Sequence, residues 1–242
     1  MENIDRTLGK NKISQFILRI DLAKDKPVDV RQLVEKVKNE YGSLRTELHI
    51  NYNLDMEKVE VKKEEFITYR LGPIEQMTLE ISAFEQSIIL TSSQYINNKV
   101  YKDRLEKIVN SLQEIDPEIK AQRIGMRYIN KIPCARPTEI SKFLNKSEAT
   151  AIKEALKRTD ISRAILVHEF QKGDYQARVQ CGIPNKFFPS KISVYDLVID
   201  IDVYGNGVQP LEMWNDSVKE YNHGAYDIFV SYIHPRLLEE WR

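Results

Sequence analysis

The stretch Leu44-Arg45-Thr46-Glu47-Leu48-His49-Ile50-Asn51-Tyr52-Asn53-Leu54 alternates without a break, apolar residues or threonine at even positions and polar ones at odd positions. A period of two sends successive side chains to opposite faces of a strand. The pattern predicts one buried face and one wet face. Strands of parallel sheets are covered on both faces and read as continuous apolar runs, so this strand predicts an antiparallel sheet.

Working outward, residues 13–22 repeat the signal, with Phe16, Leu18, Ile20 and Leu22 set against Gln15, Ile17, Arg19 and Asp21. Between the two strands, Pro27 and Asp29 open a predicted helix in which Val30, Leu33, Val34 and Val37 recur at helical spacing, and Tyr41-Gly42 ends it. Shorter strands are predicted at residues 59–61, 66–71, 77–83 and 87–91. Tyr101, Leu105, Ile108, Val109 and Leu112 then mark a second amphipathic helix, stopped before Pro117.

From residue 121 the order begins again. A strand is predicted over 121–132, closed by Pro133, followed by short helices over 137–144 and 147–158, the second with Ser147 at its N-cap. Strands over 164–171, 175–183 and 194–204 follow, with Lys172-Gly173-Asp174 as a hairpin turn. A long helix over 210–233 ends the pattern, and Pro235 breaks it or starts a terminal turn. The expected fold is therefore α+β: mostly antiparallel sheet, two strand-helix-strands-helix halves (13–113 and 121–233) and a long C-terminal helix. Without a flexible linker, residues 1–242 are expected to form a single compact unit, its halves related by duplication.

Composition narrows the function classes. Lys plus Arg and Asp plus Glu both number 36, so the formal net charge is zero. A protein that holds nucleic acid through phosphates usually carries a basic excess, so nucleic acid is not favoured as a partner. The 42% apolar and 30% charged fractions are those of an ordinary globular chain. Two cysteines, Cys134 and Cys181, make neither a disulfide framework nor a zinc cluster, and no pair of the four histidines has H-x-x-x-H spacing. Met1 to Lys12 lacks an apolar signal core, and no apolar run approaches the roughly 20 residues that span a bilayer. These features lead us to expect a cytoplasmic protein that does not enter the membrane.

Two charged stripes are the candidates for function. On the strand through Arg123-Ile124-Gly125-Met126-Arg127-Tyr128-Ile129-Asn130-Lys131, the cations Arg123, Arg127 and Lys131 share one face at intervals of roughly 13 Å. Gly125 lies between the arginines and leaves room for a ligand or another backbone. Such a row suits an anion or an acidic protein partner. The plain alternative is a solvated or salt-bridged sheet face. On the strand over 194–204, Asp196, Asp200 and Asp202 form an acidic stripe, and Glu169 on a neighbouring strand could add a third carboxylate to Asp200 and Asp202. Convergent carboxylates of this kind bind a divalent metal in phosphoryl-transfer enzymes and nucleases. Here the plain alternative is that the acids pair with basic residues on adjacent strands, the Arg123 stripe among them.

Other signals are weaker. Leu211, Trp214, Val218, Tyr221, Ala225, Ile228 and Tyr232 trace a heptad-like seam that would suit a homodimer, but a helix laid on its own sheet gives the same pattern and is the favoured reading, since Gly224 weakens that helix midway. His168 reads as a hydrogen-bonded core histidine. Cys134 lacks a placed histidine and is not expected to be a nucleophile. No P-loop, dinucleotide fingerprint, G-x-S-x-G or H-E-x-x-H occurs.

The segment from Arg123 to Ile132 resembles an uncharacterised, sporadically distributed prokaryotic family of proteins of about this length, through a motif R-x-G-[LM]-R-Y-x-N. Met126 stands where that family has leucine. The strands Phe16-Ile17-Leu18-Arg19-Ile20 and Leu197-Val198-Ile199-Asp200-Ile201-Asp202, and the region from Phe229 to Trp241, follow its pattern in order. The family has no assigned catalytic residues, and its patchy distribution resembles that of defence or toxin–antitoxin loci. Together these readings lead us to expect a non-catalytic binding or regulatory protein with a protein partner and no cofactor. The alternatives are a metal-dependent phosphoryl-transfer enzyme or nuclease using the paired aspartates, the one reading that needs a divalent metal, and a small-molecule sensor with an internal pocket.

Overall fold

Alternating apolar residues become a sheet because each strand can bury one row of side chains while its backbone pairs sideways. The computed structural model describes residues 12–25, 28–55, 60–95 and 97–241. Among these, nine strands and six α-helices follow in the order β1 (Ile13–Leu22), α1 (Val30–Tyr41), β2 (Leu44–Asp55), β3 (Glu60–Ile74), β4 (Met77–Ser82), β5 (Ser87–Ser92), α2 (Asn98–Ile115), β6 (Lys120–Cys134), α3 (Ile140–Phe143), α4 (Lys146–Leu156), β7 (Ala164–Lys172), β8 (Tyr175–Ile183), β9 (Tyr195–Pro210), α5 (Trp214–Tyr232) and α6 (Pro235–Trp241). The strands form one antiparallel sheet in the order β2-β3-β4-β5-β1-β6-β9-β8-β7. The α+β class, the antiparallel sheet and the long C-terminal helix agree with the sequence reading. The described residues group into two compact units: one contains Ile17–Ile124 and Asn206–Asn215, the other residues up to Phe16, Gly125–Gly205 and Asp216 onward.

In the unit built around residues 17–124, α1 starts where the Asp29 carboxylate accepts the Arg31 backbone N–H at 3.0 Å, and ends at Gly42 with φ +76°. Its stripe Val30, Leu33, Val34, Val37 and Tyr41 is buried, as are Leu105, Ile108, Val109 and Leu112 of α2. Leu79 and Ile81 of β4, Ile88 and Leu90 of β5, and Leu18, Ile20 and Leu22 of β1 are likewise within 1% of full burial. Buried Gln86 ties the core together: its side chain accepts Val28 N–H at 2.7 Å and donates to Ala83 O at 2.9 Å. The opposite face of β1 is charged, Arg19 holding Asp21 at 2.7 Å and Glu85 at 2.9 Å.

The other unit is built the same way. Ala177, Val179 and Cys181 of β8 and Leu197, Ile199, Ile201 and Val203 of β9 are buried on one face, under a helical layer that includes Val218, Tyr221, Ala225, Ile228 and Tyr232 of α5. The heptad-like seam is therefore core, as expected for a helix laid on its own sheet. α5 runs unbroken through Gly224, and the Tyr175 ring lies where a side chain there would project. The helices close on each other through Asn145 N–H to Tyr232 O at 2.8 Å and His234 N–H to Phe143 O at 2.9 Å.

Several local expectations change. The strand predicted over 66–71 is the middle of one long β3 that pairs with β2 along its whole length; most of the stretch 59–61 belongs to the same strand, and Val59 lies outside the described residues. β6 runs through Pro133 to Cys134. The cap of α4 is Asn145, not Ser147, and makes no side-chain cap bond because its amide donates instead to Ser231 O. The largest departure is β2. Its even face is exposed and its odd face exposed or half-buried, because β2 is an edge strand that no helix among the described residues covers, so the predicted buried face is absent there.

Candidate functional site

The motif strand β6 sends its even residues inward and its odd residues to the uncovered face of the sheet, since Met126, Tyr128, Asn130 and Ile132 are buried while Arg127 and Ile129 are half-buried and Lys131 is exposed. On β9 the parity reverses, and Asp196 and Asp202 are half-buried on the uncovered face with Asp200 between them, 8% exposed. The two stripes meet. Arg127 grips Asp200 with two parallel bonds, Nε to Oδ1 at 2.8 Å and Nη2 to Oδ2 at 2.6 Å. Lys131 Nζ lies 2.9 Å from Asp196 Oδ2. The hydrogen bonds that Arg127 donates to Asp200 raise the Arg127 pKa above its ordinary value, with the charges of Asp200 and Asp202 adding to the effect and burial opposing it.

The row continues outward across β8 and β7. Asp202 lies opposite Arg178, and Arg178 lies opposite Glu169, with Arg178 Nε 3.8 Å from Glu169 Oε1. Glu169, Arg178 and Asp202 therefore alternate in sign along one cross-strand line, and the cation sits between the two acids. Among the described residues, no group of three or more His, Cys, Asp or Glu side chains is arranged to hold a metal ion. Asp200, Asp202 and Glu169 are brought to the same face but not into one cluster.

The remaining motif residues turn inward and act as ties. Tyr128 Oη donates to Asn222 Oδ1 on α5 at 2.8 Å, and its ring lies 5.0 Å from that of Phe16. Buried Asn130 donates through Nδ2 to Ile199 O on β9 at 3.2 Å. Gly125 is buried, and Arg123 is half-buried with electrostatic or hydrogen-bonding partners of its own. The R-x-G-M-R-Y-x-N segment thus joins β6 to β9 through Arg127 and Asn130, and to α5 through Tyr128. The link to Asn222 was not legible in the sequence, because 94 residues separate the partners.

Other groups with reactive chemistry are also committed to structure. His168 is exposed rather than in the core, and its Nδ1 hydrogen-bonds Tyr232 Oη. Both thiols are buried and free; burial pushes Cys134 up and Cys181 up to about 12, the opposite of nucleophile activation. In the unit of residues 17–124, a surface cleft of about 540 Å³ is lined by Asp25, Asp116, Glu118, Lys120 and Glu212 among others. It is open and acidic, unlike the enclosed, mainly apolar pockets that hold small ligands. No helix among the described residues is long and apolar enough to cross a membrane, which leaves strand-built membrane proteins untested.

The chain matches no family model, no curated protein and no solved structure.

Proposed function

We propose that this chain is a non-catalytic binding or regulatory protein whose partner docks on the uncovered, charged face of β6, β9, β8 and β7. One observation carries the reading: of the carboxylates that would do metal chemistry, Asp200 is gripped by Arg127, and Asp202 and Glu169 lie on either side of Arg178. A carboxylate held in a bidentate guanidinium grip is oriented and neutralised, so it is poorly placed to ligate a metal. The same ladders make the face rigid and alternating in sign, which favours a polar protein partner of matching pattern over a uniformly charged polymer. The exposed cations Lys131 and Arg178 at its rim supply the points that an acidic partner would meet.

The resemblance at residues 123–132 supports a setting in a prokaryotic defence or toxin–antitoxin module. The recurrence of strand, helix, strands and helix in residues 13–113 and 121–233 supports an origin by duplication, because β1 and β6, which open the two halves, are neighbours in the strand order.

The test captures the tagged protein from its native host beside a Lys131→Glu/Arg178→Glu variant, and screens both with magnesium and manganese against nucleotides and nucleic acid. The expected result is a stoichiometric protein partner lost in the variant. Metal-dependent hydrolysis abolished by Asp200→Asn would overturn the proposal.

A further inference from the structure

The sequence of β2 calls for a buried face that the described residues do not provide. Leu44, Leu48, Ile50 and Tyr52 line one face of the strand, and Leu48 is 58% and Tyr52 66% exposed. Val61 on β3, 63% exposed, adds to the apolar surface of the same hairpin. β2 is also the last strand in the sheet order, so its outer backbone N–H and C=O groups face no further strand among the described residues. Proteins usually protect such an edge with lysine, proline, a bulge or a short strand. Here Leu48-His49-Ile50-Asn51-Tyr52 carries no Lys, Arg, Asp, Glu, Pro or Gly, and the pairing with β3 runs unbroken from Leu44 to Asp55. The opposite edge differs: β7 ends in Glu169-Phe170-Gln171-Lys172, with charges at both ends.

We infer that β2 is a homodimerisation strand, pairing antiparallel with β2 of a second copy about a two-fold axis at Leu48. Three features select a second copy and this register. First, a two-fold axis normal to the sheet keeps each face on its own side, so the apolar row of one copy continues into that of the other. Secondly, centring on Leu48 uses the row from Leu44 to Tyr52: Leu48 faces Leu48, Thr46 faces Ile50, and Leu44 faces Tyr52. Thirdly, the polar row is complementary in this register. Glu47 meets His49 and Arg45 meets Asn51, with no like charges opposed. Moving the axis to Glu47 opposes two glutamates and sets Arg45 against His49; moving it to His49 opposes two imidazoles. Centring on Thr46 would require Asn51 and Tyr52 to pair with residues 40 and 41, which belong to α1. Glu47 already accepts Arg70 Nη1 at 2.5 Å, so its carboxylate is oriented before the second copy arrives. The interface is independent of the charged face of β6 to β9, and either assignment can fail without the other.

Two arms test it. Light scattering of the native chain across micromolar concentrations is expected to show a dimer, and Leu48→Lys/Ile50→Lys to weaken it at least about a hundredfold, since both apolar contacts are lost. In the second arm, residues opposite themselves across the axis have Cα atoms about 4.5–5.5 Å apart, within disulfide range. Leu48→Cys is therefore expected to cross-link under copper–phenanthroline. Leu44→Cys, whose two copies lie about 26 Å apart in this register, is not. Cys134 and Cys181 are buried, so the native chain is the blank. A monomer at all concentrations, a dimer indifferent to the two lysines, open-ended aggregates, or cross-linking through Leu44→Cys would each overturn the assignment. The cysteine arm keeps the test decisive if the lysine pair fails to fold.

Discussion

Replacing Asp200 by asparagine separates the two readings of the acidic stripe by the sign of a stability change. In the structure its carboxylate accepts two bonds from Arg127, at 2.8 and 2.6 Å, and its side chain is 11% exposed while that of Arg127 is 40% exposed. Each hydrogen bond to a charged group is worth about 1.5–3 kcal/mol. Asparagine keeps one accepting oxygen, and the partly exposed guanidinium recovers some hydration, so the net loss is about 2 kcal/mol. In a chain of this size that lowers Tm by about 4–8 °C. A double-mutant cycle with Arg127→Met, read by thermal unfolding followed by circular dichroism, is expected to give a coupling of about 1–2 kcal/mol. Had Asp200, Asp202 and Glu169 been an uncompensated metal site, removing one like charge would stabilise the metal-free protein. A Tm that stays level or rises on Asp200→Asn, or a cycle that closes to zero, refutes the ion-pair account.

Other consequences are more local. The Cys181 thiol is raised from 9.0 to about 12 by burial, so the folded state holds its proton where the unfolded chain has lost it. Its contribution is complete below pH 9.0 and declines as pH rises towards 12, with a slope of at most about 1.4 kcal/mol per pH unit. Urea titrations at stepped alkaline pH should show that decline, and Cys181→Ala should make it shallower, buried Tyr41 and Tyr232, both raised from 10.0 to about 12, sustaining the rest above pH 10. Gly182→Ala is expected to cost about 3 kcal/mol or more, because φ is +150° and a side chain would strike the Ala164 carbonyl on β7; calorimetry measures it. Tyr41 is 1% exposed and its hydroxyl makes no hydrogen bond to any described residue. Tyr41→Phe should accordingly leave Tm unchanged or raise it, whereas a fall of more than about 1 kcal/mol would reveal a partner for that hydroxyl.

The elements legible in the sequence are those whose periodicity reports a local rule. Val30, Leu33, Val34 and Val37 give α1, and Phe16, Leu18, Ile20 and Leu22 give β1, because 3.6 and 2.0 residue repeats follow from backbone geometry alone. The zero net charge and the two acidic and basic stripes are likewise properties of the chain, as is the parity that places Arg127 with Lys131 and Asp200 with Asp196. Tertiary structure decided which stripe faces which. Asp200 meets Arg127 across 73 residues because β6 and β9 are neighbours in the sheet, and strand order depends on how the whole apolar surface is buried. The same long-range choice left β2 at the edge, so the strand with the clearest alternation in the chain is the one whose apolar face is uncovered. Periodicity states that a face must be buried; only the assembled sheet determines what remains to bury it.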